Sequence, residues 1–462
     1  LAVLSILSPL PGALSNDILL RMTDASTPLR RLGLWDASSL VVGCIIGAGI
    51  FRLSDSVARS SPSVALFLGA WLLGGLLSLC GALVWAELAT RFPRNGGEYV
   101  FLTHGFGGAW GFVYGWTRLF VSRTGTLAIL AFVFAEHAAR AFNWPRETVR
   151  PTATAAVVLL TALNIRGVRF GKAVQNIFTV LKLAALFGII AIGVFAASGS
   201  LSHFTPFWPA PGARVIPSLG LALIPVLWTY GGWYEAAYVA GEVKDPERNL
   251  PRAIIGGLLT ATVVYLAVNT VYLYYLPLEE MRRTDLVAAG TMDKIWPGVG
   301  GRVVALMVMA STFGALNGFI FSGGRILSAL GTDHALFRNF GKISPRTQTP
   351  AAALAVNAAL ALVLVWTGTL DAIVTYVEVV IFLFFAATAV TLFLFRRRGP
   401  EVPGGYRVWG YPWTPILFIL LNIAVAANGA WEAPKESLLG IGMAALGFPL
   451  YLLSRRLKTA PQ

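Results

Sequence analysis

The stretch GCIIGAGIF, residues 43–51, decides how this chain is read. It lies in an apolar run beginning at Leu34, where a membrane-spanning helix is expected, yet Gly43, Gly47 and Gly49 fall close together inside it. Each glycine costs a helix interior about 1 kcal/mol relative to alanine, and in lipid every freed backbone group needs a new partner. A second weakened run, LWTYGGWYEAAYVAGE (residues 227–242), carries Gly231 and Gly232 in the middle of another apolar segment. Counted along the chain these are the first and sixth spans, matching positions in two five-helix halves. Paired interruptions of this kind point to an inverted-repeat transporter with its site at the bilayer midplane. Unwound backbone presents N–H groups at one half-helix end and carbonyls at the other, so two facing breaks suit a zwitterion. The competing reading makes the glycines small-residue packing contacts between helices.

The rest of the chain supports a membrane setting. Of 462 residues, 56% are hydrophobic and 13% charged, with a mean hydropathy of +0.69; soluble proteins carry roughly twice that share of charge. Apolar runs of about 20 residues recur along the length. They are continuous and do not alternate, which excludes an outer-membrane barrel. The expected fold is an all-α polytopic membrane protein of twelve transmembrane helices. Their limits are near 34–60 (broken), 63–90, 107–137, 149–165, 171–197, 216–240 (broken), 251–275, 302–330, 350–366, 371–395, 411–430 and 437–454. With the N-terminus inside, Lys and Arg are about twice as frequent in cytoplasmic as in outer connections, Arg325 and the charges of 241–253 among them. This places both termini in the cytoplasm, and the net charge of +14 is then mostly topological. Because the charge is spread over short loops, nucleic-acid binding is excluded. Residues 1–21 lack a basic n-region and do not form a signal peptide. The reading there is an upstream extension, or a poorly ordered cytoplasmic tail over residues 1–31.

Several runs resemble the amino acid–polyamine–organocation superfamily, and within it the bacterial relatives of the L-type amino acid transporters. They include VVGCIIGAGIFRL, WAELATRFPRNGGEYVFL, VQNIFTVLKLAAL, YGGWYEAAYVAGEVKDPERNLPRAI, STFGALNGFIFSGGRIL and YRVWGYPWTPILFIL. The resemblance runs from about Leu32 to the end of span twelve. It implies a first inverted repeat over 32–197, a second over 198–396, and helices 11 and 12 with the C-terminus over 397–462. It further implies that the N–H groups of Ile46, Gly47, Ala48, Gly49 and Ile50 bind the substrate carboxylate. Carbonyls near Trp228, Thr229 and Tyr230, beside Gly231 and Gly232, would take the amino group, with Trp228 as the outer gate.

Lys182 lies mid-span, too deep to reach either surface, and a buried ionisable group in a membrane is a functional hypothesis by default. In the family such a lysine stands where sodium-coupled relatives hold Na⁺. The expected partners are backbone near Gly43 and Cys44 and the side chain of Ser311 or Thr312; the alternative is a plain structural tether. Arg118 and Arg123 in span three each need a carboxylate, with Glu87 and Glu235 as candidates. Spaced five apart, they are not expected to share one helical face. The mixed charges of 241–253 read by default as a solvated, salt-bridged connector, and the resemblance adds an inner latch.

His104, His137, His203 and His334 are scattered in or beside loops, and no metal cluster, nucleotide loop or nucleophile elbow is present. An enzyme, a cofactor and a metal site are therefore not expected. A channel would need a ring of like polar groups. The expectation is sodium-independent transport, by exchange, of neutral L-amino acids across the plasma membrane, since no acid stands at the sixth-span break. Proton-coupled or exchange transport of cationic amino acids or polyamines, and a non-transporting receptor, remain the alternatives. Animal members of the family join a glycoprotein through a cysteine between spans three and four. The corresponding loop, RAFNWPRETVRP, has none, so no disulfide-linked heavy subunit is expected.

Overall fold

The computed structural model describes residues 29–459 except 196–198, 285, 369, 399–404 and 433. Nearly all of the expected N-terminal tail therefore lies outside the described residues. Within them the chain is helical, and its one β-type contact is an isolated parallel bridge between Leu32 and Val243.

The first apolar segment is broken as its glycines demand: α1 (Leu34–Ile45) stops, and α2 (Gly49–Arg52) and α3 (Ser54–Ser60) resume beyond it. Helix α4 (Val64–Arg91) starts where the Ser63 hydroxyl accepts the Leu66 N–H at 3.3 Å. A short connecting helix, α5 (Glu98–Phe106), leads into α6 (Gly108–Thr117), a π-helical stretch over Arg118–Arg123, and α7 (Thr124–Phe142). Helices α8 (Val149–Arg166) and α9 (Val168–Phe195) follow.

The second interrupted segment comprises α10 (Val215–Thr229), a turn around Gly232, and α11 (Glu235–Tyr238). Helix α12 (Pro246–Tyr275) starts with proline at its first position, where the missing N–H is no loss. The short α13 (Leu278–Arg283) and α14 (Val287–Ile295) precede the long α15 (Gly300–Asp333). Helices α16 (Ala351–Thr367), α17 (Leu370–Arg398) and α18 (Trp413–Glu432) complete the bundle. The expected twelfth span is divided at Leu446 into α19 (Pro434–Ala445) and α20 (Gly447–Thr459).

Among the described residues, ten helical stretches are long and apolar enough to cross a membrane. Two further apolar helices, α10 and α16, are shorter and stand where the sixth and ninth spans are expected. Large apolar side chains on α9, including Ile177, Val180, Leu181 and Phe187, are exposed, as a lipid-facing surface requires. The broken α1–α2 segment is the reverse case. Packed against α9, α12 and α15, it is buried along nearly its whole length, which places both interruptions in the centre of the bundle.

Candidate functional site

The two breaks meet. Gly232 takes φ +117°, a conformation open to glycine, and a Cβ there would lie 2.7 Å from the carbonyl carbon of Cys44. A Cβ on Gly49 would lie 2.6 Å from Thr229 Cγ2, and one on Gly43 would strike the Gln175 side chain. These three glycines are close-approach contacts. Gly47 and Gly231 differ: an added Cβ on either would meet no other side chain at clashing distance, and both line a cavity. Close-contact and cavity-lining glycines thus both occur, and Gly49 is both.

The cavity measures about 150 Å³. Of the residues expected at the site, Gly47, Ala48, Gly49, Trp228, Thr229 and Gly231 line it. Ile46, Ile50, Tyr230 and Gly232 do not. The Ile46 and Ile50 side chains are buried in the core, and the Tyr230 hydroxyl donates to the Trp71 carbonyl at 3.0 Å. Ser78, Thr126, Tyr234, Phe319, Phe385 and Asn422 complete much of the wall, and the sequence offered no signal for them. No charged side chain lines the cavity among the described residues. Trp228, 38% exposed, stands on its rim. Tyr265 of α12 bridges both breaks, its hydroxyl donating to the Ile45 carbonyl at 2.9 Å and reaching the Thr229 carbonyl at 3.3 Å.

Behind the first break, the Lys182 ammonium donates to the carbonyls of Gly43 (2.7 Å), Ile46 (2.7 Å) and Ser311 (3.0 Å). The expected partners need correcting. Ser311 contributes its backbone, while its hydroxyl donates to the Ile46 and Gly47 carbonyls at 2.9 and 3.0 Å. The Thr312 hydroxyl instead donates to Val308 within its own helix at 2.7 Å, and Cys44 makes no hydrogen bond to the lysine. The cause is local: a broken helix frees its last carbonyls, and these outcompete hydroxyls that can be satisfied one turn back.

The family model described as amino acid permease matches residues 32–451. The chain belongs to the amino acid permease family. It is 32% identical to the mouse b(0,+)-type amino acid transporter 1, over 87% of this chain and 84% of the mouse protein. It is 30% identical to the serine/threonine exchanger SteT of Bacillus subtilis (strain 168), over 93% of this chain and 98% of the exchanger. It is likewise 30% identical to the human large neutral amino acids transporter small subunit 2, over 92% of this chain and 80% of the human protein. These relatives are transporters and not enzymes.

In this permease both span-three arginines face one carboxylate. Arg123 donates to both Glu235 oxygens at 3.2 Å, and Arg118 stands 3.7 Å from Glu235; the Ser322 hydroxyl also donates to it. The expectation that residues five apart diverge fails because Arg118–Arg123 is π-helical, and its wider turn brings i and i+5 together. Glu87 serves elsewhere, pairing with Arg396 and accepting the Val408 N–H.

The side of the bundle at which α1 begins is closed. Leu32 and Arg31 donate to the Glu242 carbonyl at 2.9 and 2.8 Å, and Lys244 donates back to Leu32 at 2.8 Å. The Glu242 side chain is buried and accepts from Arg325 at 2.9 and 3.2 Å and from Asn95 at 3.1 Å. Glu242 is therefore salt-bridged, as the connector reading had it, but not solvated, and Arg325, counted among the cytoplasmic charges, is buried within α15. His137 also departs from expectation, being buried inside α7.

Proposed function

We propose that this permease is a sodium-independent exchanger of neutral L-amino acids in the plasma membrane. In this reading it has twelve spans in two inverted five-helix halves plus two, both termini are cytoplasmic, and it works by alternating access. The substrate carboxylate sits on the N–H groups at Gly47 to Ile50, and the amino group on carbonyls at the end of α10. The observation that carries the reading is the cavity where the two breaks meet, walled by small, hydroxyl and aromatic groups with no charged side chain among the described residues. A side-chain charge of either sign would be buried there without a counter-ion, at a cost of several kcal/mol. The names of the exchanger and the large-neutral-amino-acid relatives support the same substrate class. Lys182 supports sodium independence, because its ammonium already fills the space between three carbonyls that a cation would otherwise occupy.

Proteoliposomes loaded with unlabelled amino acid test the proposal by counterflow. Labelled neutral amino acids are expected to accumulate equally with and without Na⁺, and only when internal substrate is present. A Na⁺ requirement overturns the coupling argument. Preference for arginine or polyamines overturns the substrate class and assigns the rim Trp228 to a cation. Binding with no counterflow at all makes the protein a receptor.

A further inference from the structure

Glu98 opens the connecting helix α5, is 0% exposed, and joins a buried polar cluster of Tyr238, Arg118 and Tyr114. Its Oε1 accepts the Tyr238 hydroxyl at 2.8 Å. The Tyr238 oxygen in turn receives Arg118 Nη2 at 2.7 Å and lies 2.9 Å from the Tyr114 hydroxyl. A phenol has one proton to give and two lone pairs. Tyr238 gives its proton to Glu98, so Tyr114 must be the donor in its own contact, and the Tyr238 hydroxyl is then saturated. With the carboxylate ionised, Oε1 is thus an acceptor already engaged. Oε2 is different: it is buried and has no partner.

The surrounding charges are few and mostly engaged. Tyr114 comes from α6, Arg118 and Arg123 from the π-helical stretch, and Tyr238 and Glu235 from α11. Helix α15 contributes Arg325, held by Glu242, and Asp333, held by the Tyr99 hydroxyl. Helix α17 contributes Arg398, which donates to the Gly105 carbonyl. Glu235 already takes both arginines, so Arg118 reaches Glu98 through Tyr238 and not directly. Burial raises the Glu98 carboxyl above its ordinary value, in spite of the charge on Arg118.

We propose that Glu98 is a proton-binding site, that the proton is taken from water onto Oε2, and that its uptake favours the state closed on the side where α1 begins. The inference rests on the reading of the permease as an alternating-access carrier. Opening that side requires α11 to withdraw from α5, which breaks the Tyr238–Glu98 bond and lets water hydrate the carboxylate. The hydrated carboxylate returns its proton to solvent. The closed state therefore binds the proton more tightly than the open one, and acid favours closure. That advantage is complete below the carboxyl's hydrated value and disappears as pH rises through its raised value in the closed state.

The test uses thiol labelling, which needs no substrate, so its failure is separable from that of the amino acid assignment. The full chain carries Cys44→Ala and Cys80→Ala, with Ala240→Cys as the probe on the closing segment, and labelling is normalised to the same thiol in unfolded protein. Between about pH 8 and about pH 5, labelling is expected to fall by up to roughly tenfold for each unit by which closure raises the carboxyl. Glu98→Gln is expected to abolish the pH dependence. Tyr238→Phe removes the one donor to Oε1 and should move the midpoint to higher pH, which keeps the test open if Glu98→Gln does not fold. Labelling that is flat with pH before Glu98 is changed, a pH dependence that survives Glu98→Gln, or an unmoved midpoint in Tyr238→Phe would each overturn the proposal.

Discussion

Lys182 shows how much one residue settles. An ammonium has three protons to donate, and here all three find carbonyls: two from the unwound end of α1 and one from α15. The side chain is 1% exposed, so its charge is tolerated only because those carbonyls surround it. Lys182→Ala takes a donor from three buried carbonyls, of which that of Ile46 keeps the Ser311 hydroxyl, and each one left unsatisfied costs about 1–3 kcal/mol if water does not enter. At least a tenfold loss of counterflow is expected in Lys182→Ala, with a monodisperse protein still recovered by size exclusion. Unchanged flux would make the lysine a plain tether. The sequence shows the oddity of a mid-span lysine but not its partners, because which carbonyls a broken helix frees depends on where the break falls to within one residue.

At the scale of elements, the decisive feature is the π-helical turn over Arg118–Arg123. An α-helix would send these arginines to different faces; the wider turn sets both on Glu235 of α11 and so ties span three to the second broken segment. The cluster is a buried network, in which removing one member is far costlier than replacing all of them. Glu235→Gln keeps the shape and deletes the counter-charge, leaving two buried guanidiniums uncompensated. A loss of about 3–5 kcal/mol is expected, read as a clear drop in thermal midpoint in detergent. Glu235→Gln combined with Arg118→Met and Arg123→Met should recover part of it. No recovery would mean that the network contributes through packing alone. Helix breaks at glycine pairs are legible in sequence because the backbone penalty is local; a π-turn is not, since the same residues form an ordinary α-helix unless buried partners hold the extra residue in place.

For the molecule as a whole, the strand-like clamp between residues 31–32 and 242–244 and the Arg325–Glu242 pair shut one side. Each joins the chain ahead of the first broken segment, or the long α15, to the chain just after the second. Arg325→Ala leaves Glu242 buried with only Asn95 for company, so the closed state should lose more than the open one. Labelling of a cysteine at Ala240 is expected to rise several-fold in Arg325→Ala, and an unchanged rate would show that the backbone clamp suffices.

The sequence by itself determined the apolar helical spans, the two interruptions and the buried lysine, because hydropathy, glycine content and the expense of charge in lipid act residue by residue. The meeting of the breaks, the contact and cavity roles of the glycines, the cavity wall from Ser78 to Asn422, and the burial of Glu98, Glu242 and Arg325 were decided by tertiary structure alone. Arg325 and Glu242 look like loop charges in sequence, because a charge near a span end is cheap in water. Only the packing of α15 against the second broken segment removes that water and leaves each charge to be satisfied by the other.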